Sequence, residues 1–168
     1  MRTVAIVTLL AACVALPAAA DQINLPARKP GQWKIEMARG ATPAMTMQVC
    51  LDDATAKAMM ESGLAVTSDK CSNVSVTQSG GTVTIDAECK FGPMATRSHT
   101  VVSGDFQSAY TIDTVSDSTG GSPLIPKHSE IKQNVTWVGP CTGLKPGEMM
   151  MLGGMKIDTL KALKPIGG

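Results

Sequence analysis

Cysteine, methionine and histidine are the residues of this 168-residue chain with chemistry to offer. Thioethers are soft ligands suited to Cu(I). Met149, Met151 and Met155, assisted by His99 or His128, are therefore the candidate copper ligands, and Met37, Met45 and Met47 form a second possible sulfur set across a hairpin. Methionine also fills irregular cores. Met149 shares a face with Met151 on a strand, and Met151 with Met155 on a helix, so the tail sulfurs need help to converge. No nucleophile elbow, metalloprotease helix or phosphate loop occurs, and no motif ties an acid or a nucleophile to either histidine. The expectation is a protein that is not an enzyme and carries no cofactor, with copper handling as the alternative.

The cysteines point to a compartment. Residues 1–20, MRTVAIVTLLAACVALPAAA, join one arginine, an apolar run, Pro17 and small residues at Ala18 and Ala20, the order of parts in a secretory signal peptide. Cleavage is expected before Asp21. Leu10-Ala11-Ala12-Cys13 also resembles a lipoprotein cleavage site, which would anchor the chain at Cys13. Cleavage at Asp21 removes Cys13 and leaves four cysteines, Cys50, Cys71, Cys89 and Cys141, an even number in a chain bound for an oxidising compartment. Their spacings of 20, 17 and 51 residues lack the close pairs of a zinc site.

Charge excludes other partners. Without Arg2 the mature chain has 14 Lys and Arg against 14 Asp and Glu, which gives no electrostatic footprint for nucleic acid. The mature part contains no apolar run of the ~20 residues that a membrane helix needs.

Alternation supplies the elements that must position these residues. QWKIEM and MTMQVCL read as two strands, with Trp33, Ile35 and Met37 meeting Val49, Met47 and Met45. Asp52-Asp53 caps a short helix at about 53–62, with Ala56 and Met60 on one face and Gly63 as its stop. SNVSVTQSGGTVTIDAEC is a hairpin in which Val76 faces Ile85 and Val74 faces Ala87. A further hairpin turns at Gly104-Asp105, with Phe106, Tyr110 and Ile112 sharing a face, and SEIKQNVTWV adds a strand after a Gly/Ser/Pro loop. The fold expected is mainly β: an antiparallel meander of about seven strands curled into a partial barrel or sandwich. A short C-terminal helix from Lys156 to Lys164 would complete it. In such a meander Cys50 ends one strand and Cys71 begins the next, so the pairs expected are Cys50 with Cys71 and Cys89 with Cys141. The rival pair Cys71 with Cys89 falls on opposite faces in the two-glycine register.

The residues now assembled resemble those of the secreted bacterial family known as domain of unknown function 3617. They are Lys29-Pro30-Gly31 with Trp33, Gln48-Val49-Cys50-Leu51-Asp52-Asp53, Cys71 and Cys89 around a hairpin, Ser103-Gly104-Asp105-Phe106, and Trp137-Val138-Gly139-Pro140-Cys141. The resemblance implies a periplasmic β-rich domain and no established activity. The organisation expected is a signal peptide over 1–20, a disulfide-stabilised β domain over 21–141 and a C-terminal extension over 142–168. The function expected is a periplasmic or secreted binding or envelope-associated accessory module. An apolar concave face carrying Trp33, Met47 and Trp137 would hold a hydrophobic small molecule or a peptide segment.

Overall fold

The computed structural model describes residues 26–40 and 42–162, apart from the side chains at 63–66 and 68. The expected leader, Cys13 and the end of the expected C-terminal helix lie outside the described residues.

Strands β1 (Gly31–Arg39) and β2 (Met45–Leu51) pair antiparallel with Trp33 opposite Val49, Ile35 opposite Met47 and Met37 opposite Met45. This is the register that apolar alternation demands on a half-buried sheet. Helix α1 (Asp53–Lys70) follows, and then β3 (Cys71–Ser79), β4 (Thr82–Phe91), β5 (Met94–Gly104), β6 (Ala109–Thr119) and β7 (His128–Gly139) run as a meander. The tail supplies β8 (Glu148–Met150), a 3-10 turn at Leu152–Gly154, β9 (Lys156–Asp158) and helix α2 (Thr159–Ala162). All the strands join one open antiparallel sheet in the order β3-β4-β5-β6-β7-β1-β2-β8-β9. The sheet does not end at Cys141: where a helix is expected from Lys156, a strand comes first and the helix starts at Thr159.

Helix α1 sets the shape. Its start is a capping box, in which the Asp52 carboxylate accepts from the Thr55 N–H at 2.7 Å while Thr55 Oγ1 accepts from the Asp52 N–H at 3.0 Å. The helix does not stop at Gly63. A helical glycine costs only about 1 kcal/mol, which tertiary packing overrides. Eighteen residues make a rod of about 27 Å, the length of a strand of about eight residues. The chain therefore leaves β2 at one end of the sheet and enters β3 at the other.

The helix touches β2 on one side and β3 and β4 on the other. In a flat sheet β2 and β4 would lie about 24 Å apart, more than twice the width of a helix. The sheet curls around α1, and its concave face carries the core: Trp33, Val49, Val83, Val102, Tyr110 and Val135, closed by Leu51 and Phe106.

The helix length also overturns the expected disulfides. The bonds are Cys50–Cys141 and Cys71–Cys89. Cys50 and Cys71 sit at opposite ends of the sheet, separated by the whole of α1. Strand β1 lies between β7 and β2, so the end of β7 comes beside Cys50 and Cys141 follows directly. In the β3–β4 hairpin Val76 does face Ile85, but a bulge at Asn73-Val74 shifts the register by one residue. Val74 therefore does not face Ala87, and Cys71 becomes the direct partner of Cys89. Non-reducing peptide mapping should recover these two pairs and no other. Replacing Cys50 and Cys141 by serine should lower stability in chemical denaturation by on the order of 4 kcal/mol, more than the ~3 kcal/mol expected for the shorter Cys71–Cys89 loop.

Candidate functional site: a cavity under the helix

Between α1 and the sheet lies a cavity of about 570 Å³, within the range that encloses a small organic molecule. Its floor is Val102 of β5, Tyr110 and Ile112 of β6, and Phe106 from the turn between these strands. Ala56, Met59 and Met60 of α1 form the roof, and Pro26 to Arg28 close one side. Three charged side chains, Arg28, Asp53 and Lys57, also line it.

The Gly104-Asp105-Phe106 turn delivers the phenyl ring. The Asp105 carboxylate accepts the N–H groups of Gln107, Ser108 and Ala109 and the Ser108 hydroxyl. These donors hold its pKa well below the usual carboxylate range. A Cβ on Gly104 would collide with the Ala109 carbonyl and with Tyr110. The turn places Phe106 at φ +57°, buried, with its ring stacked 4.9 Å from that of Tyr110. Tyr110 in turn rests on Trp33, ring centroids 5.6 Å apart.

The wall at 26–30 is pinned from several sides. The Lys29 N–H donates to the Phe106 carbonyl at 3.2 Å, Gln107 Nε2 to the Ala27 carbonyl at 2.7 Å, and Arg28 to the Tyr110 hydroxyl at 3.3 Å. Trp33 Nε1 donates to the Lys29 carbonyl, and Trp137 Nε1 to the Pro30 carbonyl. The Lys29 ammonium lies 3.6 Å from the centre of the Trp137 ring. Gly31, at φ +137°, leaves room for that indole, because a Cβ there would meet Trp137 Nε1 and the Gly139 carbonyl. The Lys-Pro-Gly-x-Trp and Trp-Val-Gly-Pro-Cys segments, remote in sequence, are thus one packed unit.

The expected ligand contacts lie outside this cavity. Trp33 and Met47 are buried, at 1% and 9% exposure, and neither they nor Trp137 line the cavity. The concave apolar face exists, but these side chains are filled in as support. The lining comes instead from Phe106, Tyr110 and Ile112, whose shared face the sequence does show, and from α1, where Ala56 and Met60 fall together.

The histidines lie elsewhere. His99 Nδ1 is 2.7 Å from the Asp86 carboxylate, its cross-strand partner. His128 Nδ1 is 2.8 Å from that of Asp117, with Glu130 at 3.3 Å from its Nε2. Both rings are exposed, on the outward face of the sheet. Met149 packs against the core on the opposite face, paired with Val49, so strand alternation separates it from the histidines. Met155 is exposed, and Met151 joins it through a backbone hydrogen bond across the 3-10 turn. Among the described residues no group of three or more His, Cys, Asp or Glu is arranged to hold a metal ion, and no helix is long and apolar enough to cross a membrane.

The molecule is thus an open, disulfide-stapled antiparallel sheet wrapped on one helix, with an apolar cavity beneath it. The chain belongs to the family described as protein of unknown function, DUF3617, whose model matches residues 28–141. That match starts at the cavity wall, ends at Cys141 and leaves β8, β9 and α2 outside. No curated protein and no solved structure matches the chain.

Two outcomes follow from this geometry. Gly31→Ala should destabilise the fold by on the order of 3 kcal/mol in thermal denaturation, because the methyl group meets backbone as well as indole. His128 should titrate above 6.5 by NMR, held protonated first by Asp117 and then by Glu130. Its contribution to stability is full below 6.5 and is lost as pH rises through the raised folded value. Asp117→Asn should bring that titration down.

Proposed function

We propose that the protein is an exported binding module that holds a small hydrophobic molecule in the cavity under α1. The observation that carries this reading is the lining, in which nine of the twelve residues are apolar or aromatic. A buried apolar volume with a few polar groups at its edge is the usual form of a small-molecule site. The charged groups Arg28, Asp53 and Lys57 supply that edge. Export is supported by the leader-like residues 1–20 and by two disulfides, which persist in oxidising compartments. The reading is one of binding without turnover, since neither histidine lines the cavity.

The test uses an apolar fluorophore such as N-phenylnaphthylamine with the oxidised protein. Its fluorescence should rise saturably, and Ala56→Trp, which puts an indole into the cavity, should weaken binding by at least about tenfold. Ala54→Trp, on an exposed helical position, should leave it unchanged. Absence of saturable binding, or equal loss in both variants, contradicts the reading.

A further inference from the structure

We propose that the end of the sheet formed by the β4–β5 and β6–β7 turns docks on a bilayer surface bearing anionic headgroups. Three of the nine large apolar side chains exposed among the described residues gather at this end: Leu124 at 91%, and Phe91 and Ile125 at 43%. Strand direction fixes their placement. β4 ends at Phe91 where β5 begins, β6 ends beside the start of β5, and β7 starts beside the end of β6.

The two turns touch. Gly120, at φ +72°, lies against the Pro93 carbonyl so closely that a Cβ would collide with it, and a Cβ on Gly121 would come 3.3 Å from that of Met94. Phe91, Leu124 and Ile125 are therefore presented from one braced tip rather than from independent loops.

Charge selects the partner. Lys90 adjoins Phe91, and Lys127 follows Ile125 by two residues. Both are exposed, and neither has an ion pair among the described residues. The turn segments 90–96 and 118–127 carry no carboxylate; behind them Glu88 is engaged by Arg97, and Asp117 and Glu130 share His128 on the outward face. The end thus presents apolar side chains flanked by two lysines, the combination that inserts into an interface and is drawn to an anionic surface. A protein partner bound through apolar contact alone would give these cations no role. The cavity lies toward the other end of the sheet, where β5 ends and β6 begins, so the docking does not depend on what fills it.

Co-sedimentation with vesicles tests this, using the exported protein and variants in the same processed form. Binding should be strong to phosphatidylcholine mixed with phosphatidylglycerol, weak to phosphatidylcholine alone, and reduced by salt. Leu124→Asp with Ile125→Asp, and separately Lys90→Glu with Lys127→Glu, should each lower partitioning by about tenfold or more. Leu152→Asp with Met155→Asp, equally exposed residues outside this tip, should not. Far-UV circular dichroism should be unchanged in all three, since every site is exposed. Equal binding to both vesicle types, equal loss in the Leu152 and Met155 control, or no vesicle binding at all overturns the proposal; the last outcome leaves this end to a protein partner.

Discussion

The span of one 18-residue helix from the end of β2 to the start of β3 governs much else in this molecule. Because α1 is as long as the strands, it fixes where the chain re-enters the sheet, which cysteines meet and how far the sheet must curl. Its contacts with β2 on one side and with β3 and β4 on the other make the sheet a sling rather than a closed barrel. A cavity follows from that arrangement. The first turns of the helix present small or flexible side chains, Ala56, Met59 and Met60, above Val102 and Ile112, and these do not fill the gap between a cylinder and a curved sheet.

Three devices hold the sling around the helix. The Cys50–Cys141 bond and Gln32 work at the same place: Gln32 donates to Gln48 on β2 and accepts from the Thr142 N–H at 2.9 Å. The tail then clamps the helix, since the Thr159 hydroxyl donates to the Gly147 carbonyl at 2.7 Å and lies 3.6 Å from Met59 Sδ. The segment at 26–30 closes the remaining side through the Trp137–Gly31 contact. The methionine-rich stretch after Cys141 is thus an added edge: Met149 faces Val49 on one side and Ile157 on the other.

The parts of this design that were legible in sequence are those with local periodicity. Trp33, Ile35 and Met37 against Val49, Met47 and Met45 could be aligned because both strands alternate cleanly and the turn fixes the offset. The Asp52 cap was legible for a similar reason, as its partner Thr55 is three residues away. The bulge was not, because Ser72, Asn73, Val74 and Ser75 carry almost no alternation from which a one-residue shift would show. That single residue decided the Cys71–Cys89 pair. The helix end was misread at Gly63 because local propensity is weaker than tertiary packing, and β8 is too short to show a period at all. Of the cavity, the face shared by Phe106, Tyr110 and Ile112 was visible; its roof and side wall depend on α1 crossing the sheet, which no local pattern encodes.

The account stands on α1 being continuous and seated under the tail, and backbone chemical shifts combined with methyl NOEs measure both at once. It predicts unbroken helical shifts from Asp53 to Lys70, with the Met59 methyl group showing NOEs to Thr159 and to the core cluster. Helical shifts that end at Gly63, or a Met59 methyl with no contact to Thr159, would contradict it.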